Sequence, residues 1–473
     1  MSIKLLSYVW NSIEKFGSQI VRFILGILLA RILDPNDYGL IGLLVVFTSV
    51  AQIFIDSGFS KALIQRNDKN PKEIGTAFSF NLIVAIGFYA LLFVSAPLIA
   101  NYYEQHILTS LLRVLALTLV LNALFTIPNT ILSIELNFKK IAIINFVSIV
   151  ISGMIAIVAA LNGYGVWSLV IQYISKSFIC LVLFALANTW KPQLIFDKDS
   201  FKRLFSFGYS ITLSSLLNQI ISKFSWLFIA KSFSASELGY YNRGIQFPDT
   251  AIGTLGTVLD SVLLPNLARV KEPQALKNEI ELVLKYLSII TVPITVVLIA
   301  LAEPIIHFLL TEKWSKAIPI LQIFCISRFF TNFSAVGINS LYAMGKANLV
   351  LKQQYIKMIV RVIFILVALK HGIVYLAIAE TISVIINFAI GTYYPNKLLN
   401  LGFIRHLKIM LPYILMGAIE FLMLYFTIKL ITSDLINLLI VPIIGIAIHV
   451  LLMYLYKKEE IFKLKKIINR KQS

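Results

Sequence analysis

Lys15, Gln19, Arg22 and Gly26 follow one another at intervals of four, three and four residues, which lays a polar stripe along one face of an otherwise apolar helix. Asn218, Ser222 and Ser225 form a second stripe, with Lys223 one position aside, and Arg328, Asn332 and Asn339 form a third. Lys357 and Arg361 stand four apart, Glu380 and Asn387 seven, and Asp249 and Asp260 eleven, spacings that return to one side of a helix. An ionisable group at the centre of a bilayer costs about 2.5–3.5 kcal/mol on insertion scales, so it is kept where it faces protein or a water-filled cavity. Lys and Arg in such a place offer several donors to an anion, and Arg can hold phosphate oxygens in a two-pronged fork. Lys15, Arg22, Lys223, Arg328, Lys357 and Arg361, with Asn218 and Asn339, are therefore candidates for binding. Asp249, Asp260 and Glu380 are candidates for an ion pair or a coupling ion, and Glu380 suits a pair with Arg361 as well as it suits a carried proton. Lys15 and Lys357 lie near span ends, where a long basic side chain also reaches the headgroup layer.

The elements that must position these residues are membrane helices. Of 473 residues, 58% are hydrophobic and 14% charged, with a mean hydropathy of +0.85, whereas a soluble domain is about 25% charged. Apolar stretches of membrane-spanning length recur along the whole chain. They predict an all-α polytopic protein with fourteen transmembrane helices, near 12–30, 38–57, 76–99, 108–132, 141–161, 165–187, 204–230, 244–265, 282–302, 316–342, 352–370, 373–393, 407–430 and 434–456. Turn formers such as NDKNP (Asn67–Pro71) and NGYG (Asn162–Gly165) sit between them, and no link is long enough for a soluble domain. The first segment holds Glu14, Lys15 and Arg22 and lacks a small-residue cleavage site, so it is not expected to be a removable signal peptide. Cys180 and Cys325 fall in apolar runs and read as small hydrophobes.

Basic residues orient the spans. Links carrying Lys61, Arg66, Lys69 and Lys72, then Lys139 and Lys140, then Lys198, Lys202 and Arg203, alternate with sparse ones holding only residues such as Arg31, Lys231, Arg243 and Lys370. By the positive-inside rule both termini are cytoplasmic. The net charge of +19 is largely this bias, so no nucleic-acid partner is implied. The tail at 457–473 has a basic amphipathic pattern suited to anionic lipid.

The segment ARILDPNDYGLIG (Ala30–Gly42) returns as AKSFSASELGYYNRG (Ala230–Gly244), aligning Arg31 with Lys231, Asp37 with Glu237 and Gly39 with Gly239. Upstream, Phe16-Gly17 recurs as Phe207-Gly208 in a slightly different register. A spacing of six helices implies parallel repeats, an arrangement known in transporters. It divides the chain into an N-terminal six-helix lobe at 1–190, a C-terminal six-helix lobe at 200–395, a helix pair at 405–456 and the tail. Asp37 is expected to cap the second helix, with Pro35 in an early helical position.

GILLARILDPNDYGLIGLLVVF (Gly26–Phe47), followed by DSGFSKALIQR (Asp56–Arg66), closely resembles the N-terminal signature of the bacterial polysaccharide-transport family, the exporters of O-antigen, exopolysaccharide and teichuronic acid. That family belongs to the group that includes multidrug-and-toxin extrusion transporters and lipid II flippases. The resemblance implies alternating access by a two-lobed flippase in the cytoplasmic membrane. Its cargo would be a polyprenyl-diphosphate-linked oligosaccharide, carried through a cavity lined by basic residues. The diphosphate would meet Lys and Arg, and sugar hydroxyls would favour Asn, Gln and Ser, among them Gln219. Membrane lipids, a glycan polymerase and a chain-length regulator are the implied partners. The sequence has no GxxxxGK[ST] loop, no GxGxxG after a strand, no GxSxG and no paired metal-ligand histidines, so neither enzyme activity nor a cofactor is expected. An ion-coupled exporter of drugs or other small molecules is the competing reading; a carrier of cations would be expected to present acids where this chain has Arg22.

Overall fold

The structure, a computed structural model, describes residues 3–65, 70–188, 190–457 and 460, except for the side chains of 3–16, 207, 210, 218, 221, 257, 258, 260–262 and 347. The described residues are helical nearly throughout. Up to the middle of the chain the helices are α1 (Ile3–Ile32), α2 (Pro35–Asp56), α3 (Phe59–Gln65), α4 (Pro71–Tyr102), α5 (Ile107–Leu115), α6 (Leu117–Ile134), α7 (Phe138–Leu161), α8 (Val166–Ala187) and α9 (Lys198–Ser232). Then come α10 (Ala235–Pro248), α11 (Thr254–Leu267), α12 (Pro273–Ala300), α13 (Ala302–Ile305), α14 (Ala317–Ala343), α15 (Ala347–Ala368), α16 (Ile373–Gly391), α17 (Tyr393–Leu399), α18 (Phe403–Leu430) and α19 (Asp434–Tyr456).

Ten helical segments among the described residues are long and apolar enough to cross a membrane. Large apolar side chains such as Val94, Leu98 and Leu186 stand exposed on them, which suits a lipid solvent. The chain is thus an all-α, multi-pass membrane protein. Of the other segments, α1, α9, α11, α15 and the turn at 249–253 between α10 and α11 hold Lys15, Arg22, Lys223, Asp249, Asp260, Lys357 and Arg361. α10 and α11, at 14 residues each, are separately too short to span, while charges thin the apolar character of α1, α9 and α15.

Local chemistry starts the helices where short polar links allow it. Asn70 caps α4 by accepting from the Lys72 N–H, with Pro71 next in line; Asp197 caps α9 through Ser200; and Glu272 caps α12 ahead of Pro273. At α2 the N-cap is Asp34 rather than Asp37. Asp37 sits three residues on and accepts the Asp34 N–H at 3.1 Å, which closes a capping box. Its partnership with the residue three back makes Asp37 the second half of the cap.

Contacts divide the chain into two compact units, Met1–Gly239 and Tyr240–Ser473. In the first, α7 packs on α1 and α8, α6 on α4 and α8, and α2 on α4, α6 and α9. Buried Glu73 of α4 binds Arg203 of α9 at 3.1 Å. At the starts of α2 and α10 the repeated segments meet reciprocally: a Cβ at Gly39 would overlap the Ala235 carbonyl, and one at Gly239 would overlap the Pro35 carbonyl. Only glycine permits either approach. In the second unit α14 packs on α11, α12 and α16, α15 on α16, and α18 on α12 and α19. Its core gathers Leu284, Phe333, Phe388, Met410 and Tyr413.

Candidate functional site

The second unit holds a polar seam between α15 and α16. Gln353, Lys357 and Arg361 recur every fourth residue on α15, so their side chains share one face. Gln353 donates to the Ile390 carbonyl at 2.8 Å, and Arg361 binds Glu380 of α16 at 3.2 Å. The Glu380 Oε1 and Arg361 Nε are buried without a hydrogen-bond partner, as are the Gln353 Oε1 and the Asn387 Oδ1. Lys357 is only 7% exposed, and a Cβ added to Gly391 would fall 3.1 Å from its ammonium. Among the described residues Lys357 has no carboxylate partner. One lysine, one arginine and one glutamate leave the seam with surplus positive charge, an arrangement that attracts an anion.

A second polar contact lies where α10 gives way to α11. Residues Asp249–Gly253 form a π-helical turn after Pro248. Arg328 of α14 binds Asp249, and Asn332, one turn on, donates to the Ile252 carbonyl at 3.0 Å. The pair thus clamps an irregular segment from one face of α14, and wide turns of this kind cluster at functional sites. Glu380 also lies within electrostatic reach of Arg328.

The other candidates lie outside these two contacts. Arg22 is exposed on α1. Lys223 sits over the Trp226 ring, 3.2 Å from its centre. Asn339 is buried and donates to the Ala335 carbonyl of its own helix. The side chains of Lys15, Asn218 and Asp260 lie outside the described residues. At a helix end, Lys231 binds Glu104 at 2.9 Å, and this hydrogen bond holds the Glu104 carboxyl below the usual carboxylate range.

Sequence reasoning missed most of what the first unit offers. A cavity of about 510 Å³ runs between one face of α2 (Ser49, Gln52, Asp56) and one face of α6 (Thr126, Asn129, Thr130, Ser133), with Gln219 of α9 beside it. Across Gln52, which accepts from Asn122 at 3.1 Å, a second cavity of about 300 Å³ includes Lys176 and Asn145. Also missed was the buried pair of Glu420 on α18 and His449 on α19, 2.9 Å apart. Among the described residues no cluster of three or more His, Cys, Asp or Glu is placed to hold a metal ion, and Cys180 and Cys325 are free thiols.

Known proteins bear on this architecture. The teichuronic acid biosynthesis protein TuaB of Bacillus subtilis is 26% identical over 423 residues, spanning 87% of each chain. The succinoglycan biosynthesis transport protein ExoT of Rhizobium meliloti is 23% identical over 67% of this chain and 65% of its own. Among solved structures, the lipid II flippase MurJ in an inward closed conformation superposes with a TM-score of 0.78 at 18% identity, covering 96% of this chain and 100% of that one, a likeness of fold. The model of the family described as polysaccharide biosynthesis protein matches residues 28–319, more than half the chain, and the chain belongs to that family.

Proposed function

We propose that the chain is a flippase that moves a polyprenyl-diphosphate-linked oligosaccharide from the cytoplasmic to the outer leaflet of a bacterial cytoplasmic membrane, for assembly of a surface polysaccharide. The observation that carries this reading is the α15–α16 seam, where Lys357 is buried one turn from Arg361 on α15, without a carboxylate of its own among the described residues. A buried cation kept unpaired is expensive, and an anionic cargo is what would compensate it. The relatives named for teichuronic acid and succinoglycan work support a lipid-linked glycan as that cargo. Asp249 and Glu380 are each bound to an arginine, which disfavours their serving as open acids for a cationic drug.

The finer topology belongs to the same proposal. Ten apolar segments together with α1, α9, the α10–α11 pair and α15 give fourteen spans, with both termini cytoplasmic. The six-helix lobes at 1–190 and 200–395 are supported by the reciprocal approach of Gly39 and Gly239, exactly one repeat length apart in the alignment of Ala30 with Ala230. Arg22, exposed on α1 and so dispensable for packing, would meet the cargo. A glycan polymerase and a chain-length regulator would act on the product. In cells, Arg22→Glu is expected to abolish surface polysaccharide while membrane levels of the protein stay normal; normal surface polysaccharide in that strain would overturn the role of Arg22.

A further inference from the structure

The cavity between α2 and α6 has a chemistry opposite to that of the α15–α16 seam. Among the described residues its lining contains no lysine or arginine, and its one charged residue is Asp56. The hydroxyl hydrogens along it are already committed. Thr126 donates to the Asn122 carbonyl and Thr130 to the Thr126 carbonyl, each at 2.8 Å, and Ser49 donates to the Val46 carbonyl at 2.9 Å. What these groups retain at the cavity is oxygen lone pairs. The Asn129 Oδ1 is buried with no partner, and Asp56 is bound by a single hydroxyl, that of Ser60 at 2.7 Å. A wall of acceptors with a carboxylate at one end repels phosphate, which is itself acceptor-only and anionic. It suits a ligand that brings hydrogens of its own, and the amide nitrogens of Gln52 and Asn129 are there to meet that ligand's oxygens. The volume of about 510 Å³ falls within the range of small-ligand sites, about 300–1,000 Å³.

We propose that this cavity is a sugar subsite, which binds the hydroxyl-rich, uncharged glycan of the cargo and leaves the diphosphate to basic residues elsewhere. The inference rests on the transport reading and adds which residues recognise the sugar: Asp56, Thr126, Asn129 and Thr130. Spending each threonine hydrogen on its own helix is what makes the subsite selective, because a hydroxyl with its proton held back can only accept.

Binding of two lipids to the full chain in nanodiscs separates the possibilities: undecaprenyl diphosphate, and undecaprenyl diphosphate bearing one glucose. The wild type should prefer the glycosylated lipid by about tenfold, the worth of one good hydrogen bond to a charged group. Asp56→Asn, and separately the near-isosteric pair Thr126→Val with Thr130→Val, should erase the preference while binding of the bare lipid persists, which also reports that each variant is folded. Equal wild-type affinity for the two lipids, or a preference untouched in both variants, would overturn the subsite and leave the transport reading standing. Binding of neither lipid to the wild type would overturn the transport reading and the subsite with it.

Discussion

The α2–α6 cavity and the α15–α16 seam are both polar interruptions in apolar helices, yet they are built on different terms. The first is assembled from amides and from hydroxyls whose protons return to nearby carbonyls, as Thr126 and Thr130 show. Such groups enter a helix at little cost because the backbone of their own turn satisfies them. The seam instead holds Lys357, Arg361 and Glu380, and only one ion pair is made among them. A charge in that setting must find a partner or a ligand. On the proposed reading the two regions do different work: recognition by shape and hydrogen bonds in the first unit, and attraction of charge in the second.

If that contrast is right, the two regions respond differently to single substitutions. Glu380→Gln would leave the buried Arg361 without its acid, and breaking a buried pair from one side costs about 3–5 kcal/mol. A large fall in thermal stability in detergent is therefore expected; an unchanged melting temperature would mean that the seam is already neutralised from elsewhere. Lys357→Met removes a charge that has no carboxylate partner, and stability should rise by about 1–3 kcal/mol while affinity for undecaprenyl diphosphate falls. A loss of stability in that variant would show that Lys357 is structural. The smallest effect is expected at the hydroxyl-lined cavity, where Thr130→Val gives up one helix back-bond and should shift stability by less than about 1 kcal/mol. A cost as large as that of Glu380→Gln would erase the distinction between the regions.

The same difference explains which residues are visible in sequence. Arg328, Arg361, Asp249 and Glu380 stand out because charge is costly inside an apolar run. Pairing is another matter. Whether Glu380 meets Arg361 or carries a proton depends on how α15 faces α16, and nothing local decides it; the geometry supplies the pair. Thr126, Asn129, Thr130 and Ser133 are inexpensive in a helix and carry no signal one at a time, although their spacing marks a single face that a search for neutral stripes would find. Lys176 carries the same sequence signal as Lys223 and lies outside the candidate set even so. Asp34 and Asp37 show a finer limit: both suit a helix start, and only the backbone geometry assigns the N-cap to Asp34. The ten strongly apolar spans among the described residues were legible from hydropathy alone, while the start of α10 at Ala235, nine residues ahead of the span expected at 244, was hidden by its polar first turns.

Transport itself is the central claim, and reconstitution tests it most directly. Proteoliposomes carrying the full chain would be loaded on one leaflet with an undecaprenyl-diphosphate oligosaccharide, and its arrival at the other leaflet followed with and without proton or sodium gradients. The account predicts translocation by the wild type and loss of it in Arg22→Glu protein reconstituted to the same level. No translocation by the wild type under any gradient, with the protein folded and correctly inserted, would contradict it.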